Sequence, residues 1–128
     1  KIEKKITKKT KAIILVHFGG LPCNLKPILK ICTKNSIKII EDCAHAIETK
    51  YYGKHVGNFG EAGCFSFYAT KNLTTGEGGM LITKNQKIAN RIKIMRGLTS
   101  KQNLNHIYII STLYQLFTSF TFTYLFVL

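Results

Sequence analysis

An α/β fold built on a mainly parallel sheet is what this chain predicts, on three observations. Ala12–Val16 is a continuous apolar run of strand length without the alternation of a half-exposed strand, which suits a strand covered on both faces, and the three isoleucines of Ile37–Ile40 read as a second buried strand. Between them Leu25, Ile28, Leu29 and Cys32 recur at helical spacing. Strand, helix, strand is the order of a βαβ unit, in which the helix carries the chain back along the sheet so that the second strand runs parallel to the first. With 128 residues, 45% of them hydrophobic, the chain holds one modest core, as one domain or as part of a larger one.

The elements follow in order. Lys1–Lys11 is a solvated basic lead-in without the apolar stretch of a secretory signal. The first strand, Ala12–Val16, closes on His17-Phe18-Gly19-Gly20, where His17 reads as a structural hydrogen-bond former outside the chemistry. Asn24 stands where a cap belongs, and Pro27 is tolerated in the first turn of the helix that follows. The second strand turns polar at Glu41-Asp42, its expected carboxyl end, the edge at which ligands collect in open α/β sheets. From Thr49 to Gly63 the glycines predict a surface loop. A third strand, Cys64–Tyr68, leads through a polar turn carrying Lys71 and a glycine-rich bend into a fourth, Met80–Thr83. Asn85–Arg96 returns to helical spacing through Ile88, Ile92 and Met95.

The chemistry concentrates at two strand mouths. Lys71 offers an amine beside Ser66, Thr70, Thr74 and Thr75, a set that suits an anionic ligand held next to a nucleophile. Asp42 and His45 stand at the end of the second strand. The run from Ile39 to Gly79, IIEDCAHAIETKYYGKHVGNFGEAGCFSFYATKNLTTGEGG, resembles the PLP-dependent sugar aminotransferases of the DegT/StrS type in order, spacing and residue type.

That resemblance implies a three-layer αβα domain of fold type I, of which this chain covers the second half of the large domain, with the last of the four strands antiparallel. It implies pyridoxal 5′-phosphate as cofactor and Lys71 as the amine that condenses with its aldehyde. The freed amine then serves as general base and acid. Asp42 would face the pyridine nitrogen and keep it protonated. His45 would hydrogen-bond near the phenolic oxygen, and Ser66 would hold the phosphate. The implied reaction moves an amino group, usually from glutamate, to a keto group of a nucleotide-linked sugar, in a homodimer whose subunits share each site. Residues 1–97 then form a partial cofactor-binding domain. Residues 98–128 form a divergent apolar tail, read as a shifted frame or degenerate end. A truncated, inactive remnant of such an enzyme is the alternative.

Other classes are set aside on composition and spacing. Nineteen basic against 6 acidic residues give a formal charge of +13, but the lysines are scattered over every segment instead of lining one stripe, so nucleic acid is not expected as a partner. Uncharged Ile107–Leu128 is long enough for a membrane span, yet its Ser, Thr and Gln content argues against one. The remote alternative is therefore a basic membrane- or nucleic-acid-associated protein. Cys23, Cys32, Cys43 and Cys64 form no C-x-x-C pair and no zinc spacing, which fits a reduced, cytoplasmic setting. Asp42, Cys43 and His45 are adjacent metal-ligand types from a single segment, so no metal is expected. Gly53-Lys54-His55 lacks the pattern of a P-loop, and Gly76-Glu77-Gly78-Gly79 precedes a strand, not the helix a dinucleotide fingerprint needs. A Cys43–His45 nucleophile pair lacks an orienting third group.

Overall fold

The structure is a computed structural model that describes residues 1–97. The tail from residue 98 on, and with it the membrane-span and shifted-frame readings, lies outside the described residues. Two compact units divide the chain, the first comprising Lys1–Lys84 and the second starting at Asn85.

The first unit holds strands β1 (Ala12–Val16), β2 (Lys38–Asp42), β5 (Ala62–Ser66) and β6 (Gly79–Ile82) in one sheet of order β1-β2-β5-β6. The first three are parallel, with Val16 opposite Asp42 and Asp42 opposite Cys64; β6 runs antiparallel, with Ser66 opposite Gly79. The carboxyl ends of β1, β2 and β5 therefore share one edge. Helix α1 (Leu25–Lys34) makes the crossover from β1 to β2. Its Leu25, Ile28 and Cys32 are buried with Ile13, Leu15, Ile37 and Ile39, so the apolar spacing seen in the sequence is the contact between helix and sheet. A smaller cluster, Cys43, Ala46, Val56 and Phe65, packs at the carboxyl edge.

Several boundaries and caps differ from expectation, each for a physical reason. Strand β2 does not stop at Ile40; it continues in register through Glu41 and Asp42, because Glu41 points inward to hydrogen-bond donors instead of marking a solvated turn. Strand β5 starts at Ala62 and leaves the ladder after Ser66, where Phe67 N–H turns to the Gly78 carbonyl at 2.8 Å. The Asn24 side chain does not cap α1. Tyr51 does so in its place: its hydroxyl accepts the Lys26 N–H at 3.2 Å and donates to Asn24 Oδ1 at 3.0 Å, a relay reaching in from the next loop. Within that loop lies a two-strand hairpin, β3 (Lys50–Tyr51) and β4 (Lys54–His55), turned by Tyr52 and Gly53 at φ +48° and +79°. Two successive positive φ values are the signature of a type I′ turn, whose twist matches the strands it joins.

Gly63, in β5, lies so close to the backbone of Gly57 that a side chain is excluded there. A Cβ on Gly63 would stand 2.4 Å from Gly57 Cα and 2.7 Å from its carbonyl oxygen, and neither neighbour is a side chain that can swing away. Gly63→Ala should therefore cost at least the roughly 1–3 kcal/mol of an overpacked core site. Gly53→Ala, with open space around it, should cost about 1 kcal/mol for its positive φ alone. Urea midpoints of the two variants check the ranking.

In the second unit, helix α2 spans Gln86–Gly97. Asn85 Oδ1 accepts the N–H groups of Lys87 and Ile88 at 3.0 and 3.3 Å, an N-cap of the usual kind. Among the described residues no helix is long and apolar enough to cross a membrane.

Candidate active site

Parallel pairing settles which side chains share a face. Residues paired in register point to the same side of a sheet, and successive residues alternate. Asp42 and Cys64 are paired, and Ser66 follows two residues on, so Asp42, Cys64 and Ser66 face one side while Glu41 and Phe65 face the other, toward the core clusters.

On the Asp42 side a narrow cleft opens beyond the strand ends, lined by Ala44, His45, Ser66, Thr70, Lys71 and neighbouring residues. Three of the four predicted site residues, His45, Ser66 and Lys71, thus border one space. Asp42 does not line it; its Oδ1 accepts the N–H of Ala44, a residue that does, at 3.0 Å. Burial pushes the Asp42 carboxyl above its ordinary range, opposed by the Ala44 N–H and by the Lys71 charge. The amine and the carboxylate are therefore on the same face and within electrostatic reach.

The local chain explains each placement. Lys71 rides a turn closed by its own N–H onto the Tyr68 carbonyl at 2.9 Å, immediately past the end of β5. Ser66, 7% exposed, takes the Tyr68 N–H on its Oγ at 3.3 Å and so helps to start that turn. His45 is held from the β1 side. The Gly19 N–H points at its Nδ1 at 3.4 Å, and Phe18 lies against the ring at 5.4 Å between centroids. An accepting Nδ1 leaves the proton on Nε2. Burial and the Lys71 charge lower the His45 pKa, with Asp42 opposing, which keeps the ring neutral near pH 7.

The residue that sequence reasoning passed over is Glu41. Fully buried, its carboxylate accepts four hydrogen bonds: His17 Nε2 and Gly57 N–H on Oε2 at 3.1 and 2.8 Å, and Phe59 and Gly60 N–H on Oε1 at 2.7 and 2.8 Å. Burial alone would raise its pKa, but these donors outweigh it and hold the carboxyl below its usual range. His17 receives the Cys23 N–H on Nδ1 at 3.1 Å, which leaves its proton on Nε2, facing Glu41. One signal was available: two carboxylates in succession on a strand must face opposite sides, so one of them had to be inside.

Cys43 closes the same group, its sulfur within 4.8 Å of His17 and Glu41 ligand atoms. These are metal-ligating types, but Glu41 has every lone-pair site taken by a hydrogen bond, so the cluster is complete as a structural clamp. The Cys43 thiol, 1% exposed and driven upward in pKa by burial and by Glu41 and Asp42, is kept protonated, which removes it as a nucleophile partner for His45.

A model of the DegT/DnrJ/EryC1/StrS aminotransferase family matches residues 1–116 of this chain, a longer stretch than the run that carried the resemblance. The chain belongs to this family. Among its relatives, the GDP-perosamine synthase of Escherichia coli O157:H7 is 46% identical over 96 residues, 75% of this chain and 26% of the synthase. Two solved family structures superpose well. PseC of Helicobacter pylori, an aminotransferase involved in the biosynthesis of pseudoaminic acid, does so with a TM-score of 0.74 at 34% identity, over 81% of this chain and 28% of PseC. DesV of S. venezuelae does so with a TM-score of 0.71 at 34% identity, over 82% of this chain and 29% of DesV. The chain spans about a quarter of the length of the curated relatives it matches. The α/β fold, the mainly parallel sheet and the antiparallel last strand expected from the resemblance are those of the structure.

Proposed function

We propose that this chain is the cofactor-anchoring part of an aminotransferase that uses pyridoxal 5′-phosphate to transfer an amino group, from a donor such as glutamate, to a keto group of a nucleotide-linked sugar. The observation that carries the reading is the convergence of Lys71, His45 and Ser66 on one cleft, with Asp42 on the same sheet face as Ser66 and within electrostatic reach of Lys71. The side chains fit the group. An amine suits the aldehyde, and a buried carboxylate above its ordinary pKa is relieved by a cationic ring nitrogen. A neutral imidazole with its proton on Nε2 can donate to the phenolic oxygen, and a hydroxyl can donate to the phosphate.

When bound, the cofactor supplies an electron sink for the bond-breaking step at the substrate carbon. The chain's own residues do the rest. Lys71 would hold the cofactor through its amine, and its Nζ would be the group that holds and moves the proton. Asp42 would favour positive charge on the ring nitrogen, His45 would orient the ring, and Ser66 would hold the phosphate end. In this reading the active assembly is a homodimer, which sedimentation of the full enzyme would show.

Incubation with pyridoxal 5′-phosphate followed by borohydride reduction should add one reduced pyridoxyl phosphate group, located at Lys71 by peptide mass spectrometry and missing from Lys71→Ala. Label spread over the exposed lysines, or unchanged labelling in that variant, would overturn the assignment.

A further inference from the structure

The turn after β1 carries two glycines in succession, Gly19 and Gly20, at φ +58° and +81°. Beyond its chain neighbours nothing lies within 4 Å of where a Gly19 Cβ would stand, so packing does not hold this peptide in place. Glycine leaves the backbone more freedom than any other residue does. The Gly19 N–H is nevertheless aimed, pointing at His45 Nδ1 at 3.4 Å. Within the turn the Leu21 N–H closes on the Phe18 carbonyl at 2.9 Å, a bond that leaves the Gly19 peptide free to swivel.

Thr49 supplies the missing hold. Its Oγ1 donates to the Gly20 carbonyl at 2.7 Å, in a half-buried position. Thr49 is itself anchored, its N–H on the Ala46 carbonyl at 3.2 Å and its own carbonyl accepting the Val56 N–H at 3.0 Å. Ala46 and Val56 are buried in the smaller core cluster, so the hydroxyl ties a pliable turn to a fixed segment. The approach is close: a Cβ on Gly20 would stand 3.4 Å from the His45 carbonyl oxygen and 3.6 Å from Thr49 Oγ1. Gly20, His45 and Thr49 also line together a wider cleft beside that of Lys71.

The consequence falls on the imidazole. A ring nitrogen that accepts an N–H carries no proton of its own, so the Gly19 contact favours the neutral form protonated on Nε2. Phe18, against the ring at 5.4 Å between centroids, distinguishes neither nitrogen. We propose that Thr49 is a positioning residue: through the Gly20 carbonyl it keeps the Gly19 N–H on His45 Nδ1 and so fixes the tautomer whose Nε2 donates to the cofactor. The tautomer is a property of the chain itself, whereas its use rests on the amino-transfer reading above.

Heteronuclear NMR of the His45 ring nitrogens in the full 128-residue chain tells which one is protonated. In the unsubstituted chain it should be Nε2. Thr49→Val keeps the shape and loses the hydroxyl, and it should raise the share of the Nδ1–H form about fivefold, the scale of one net hydrogen bond. Thr49→Ala should behave alike, so the outcome does not hang on one substitution, and Thr49→Ser, which keeps the hydroxyl, should restore the original share. Affinity for pyridoxal 5′-phosphate, measured by equilibrium dialysis, should fall in proportion to the lost Nε2–H population and recover in Thr49→Ser. A proton on Nδ1 in the unsubstituted chain, an unchanged share in the variants without the hydroxyl, or an altered share with unaltered cofactor affinity would each overturn the proposal. Borohydride labelling is read in parallel: its absence from Lys71 of the unsubstituted chain would sink the amino-transfer reading and leave the tautomer result standing.

Discussion

Glu41→Ala should unfold the first unit or bring it to the edge of unfolding, the largest loss of stability of any single substitution on this sheet. The side chain satisfies three backbone N–H groups and the His17 Nε2–H, all of them at a buried carboxylate. Leaving a buried donor unpaired costs about 1–3 kcal/mol each, so even partial rescue by water leaves a loss of about 4 kcal/mol or more. A domain with a total stability of roughly 5–15 kcal/mol has little left after that. Glu41→Gln keeps the volume and one acceptor but turns an NH2 toward N–H donors, and it should fall between the two. Urea denaturation followed by circular dichroism measures both; a change below about 1 kcal/mol for Glu41→Ala would show that the clamp holds nothing.

The same carboxylate sets an acid limit. Its pKa is lower folded than unfolded, so the folded state gives up this proton more readily. Its contribution is therefore complete above the unfolded-state value of about 4.3 and is lost as the pH falls through the lower folded value. Glu41→Gln removes the titrating group. Stability of the variant should therefore vary less with pH over that acid range than stability of the unsubstituted chain.

How far the fold could be read from the chain depended on whether local pattern or distant contact decided each feature. Strand β1 was legible to the residue, because an apolar run buried on both faces carries its own signal. Helix α1 was equally clear, its Leu25, Ile28 and Cys32 forming the buried stripe. The cap was not, since Tyr51 reaches Lys26 and Asn24 from another loop and nothing in the local sequence of either marks the contact. The end of β2 was misplaced for a related reason. A Glu-Asp pair after three isoleucines reads as solvent, and only the folded loop from Gly57 to Gly60 reveals that Glu41 has donors waiting for it. Of the candidate site, the grouping of Lys71, His45 and Ser66 was implied by the resemblance that the run from Ile39 to Gly79 carries. The lock on His45 by Gly19, and the wide cleft beside it, depend on a turn 26 residues upstream of the histidine.

Asp42→Asn should move stability and cofactor affinity in opposite directions, which separates its role from that of the adjacent Glu41. Asparagine keeps an Oδ1 acceptor for the Ala44 N–H, so the local turn survives. What disappears is a charge that burial penalises: the Asp42 pKa is higher folded than unfolded. A carboxyl raised in this way weakens the folded state as the pH climbs through its unfolded value of about 3.9, and the penalty is complete above the folded value. The urea midpoint of Asp42→Asn at pH 7 should therefore stay level or rise. Binding of pyridoxal 5′-phosphate should fall roughly 10- to 100-fold, because a neutral amide replaces a charge-assisted hydrogen bond worth about 1.5–3 kcal/mol. A strand-end carboxylate kept only to shape its turn would show the reverse, a lower midpoint and an unaltered cofactor affinity. A charge that costs the empty fold and strengthens the loaded one marks a binding group in a site whose geometry was not selected for stability alone.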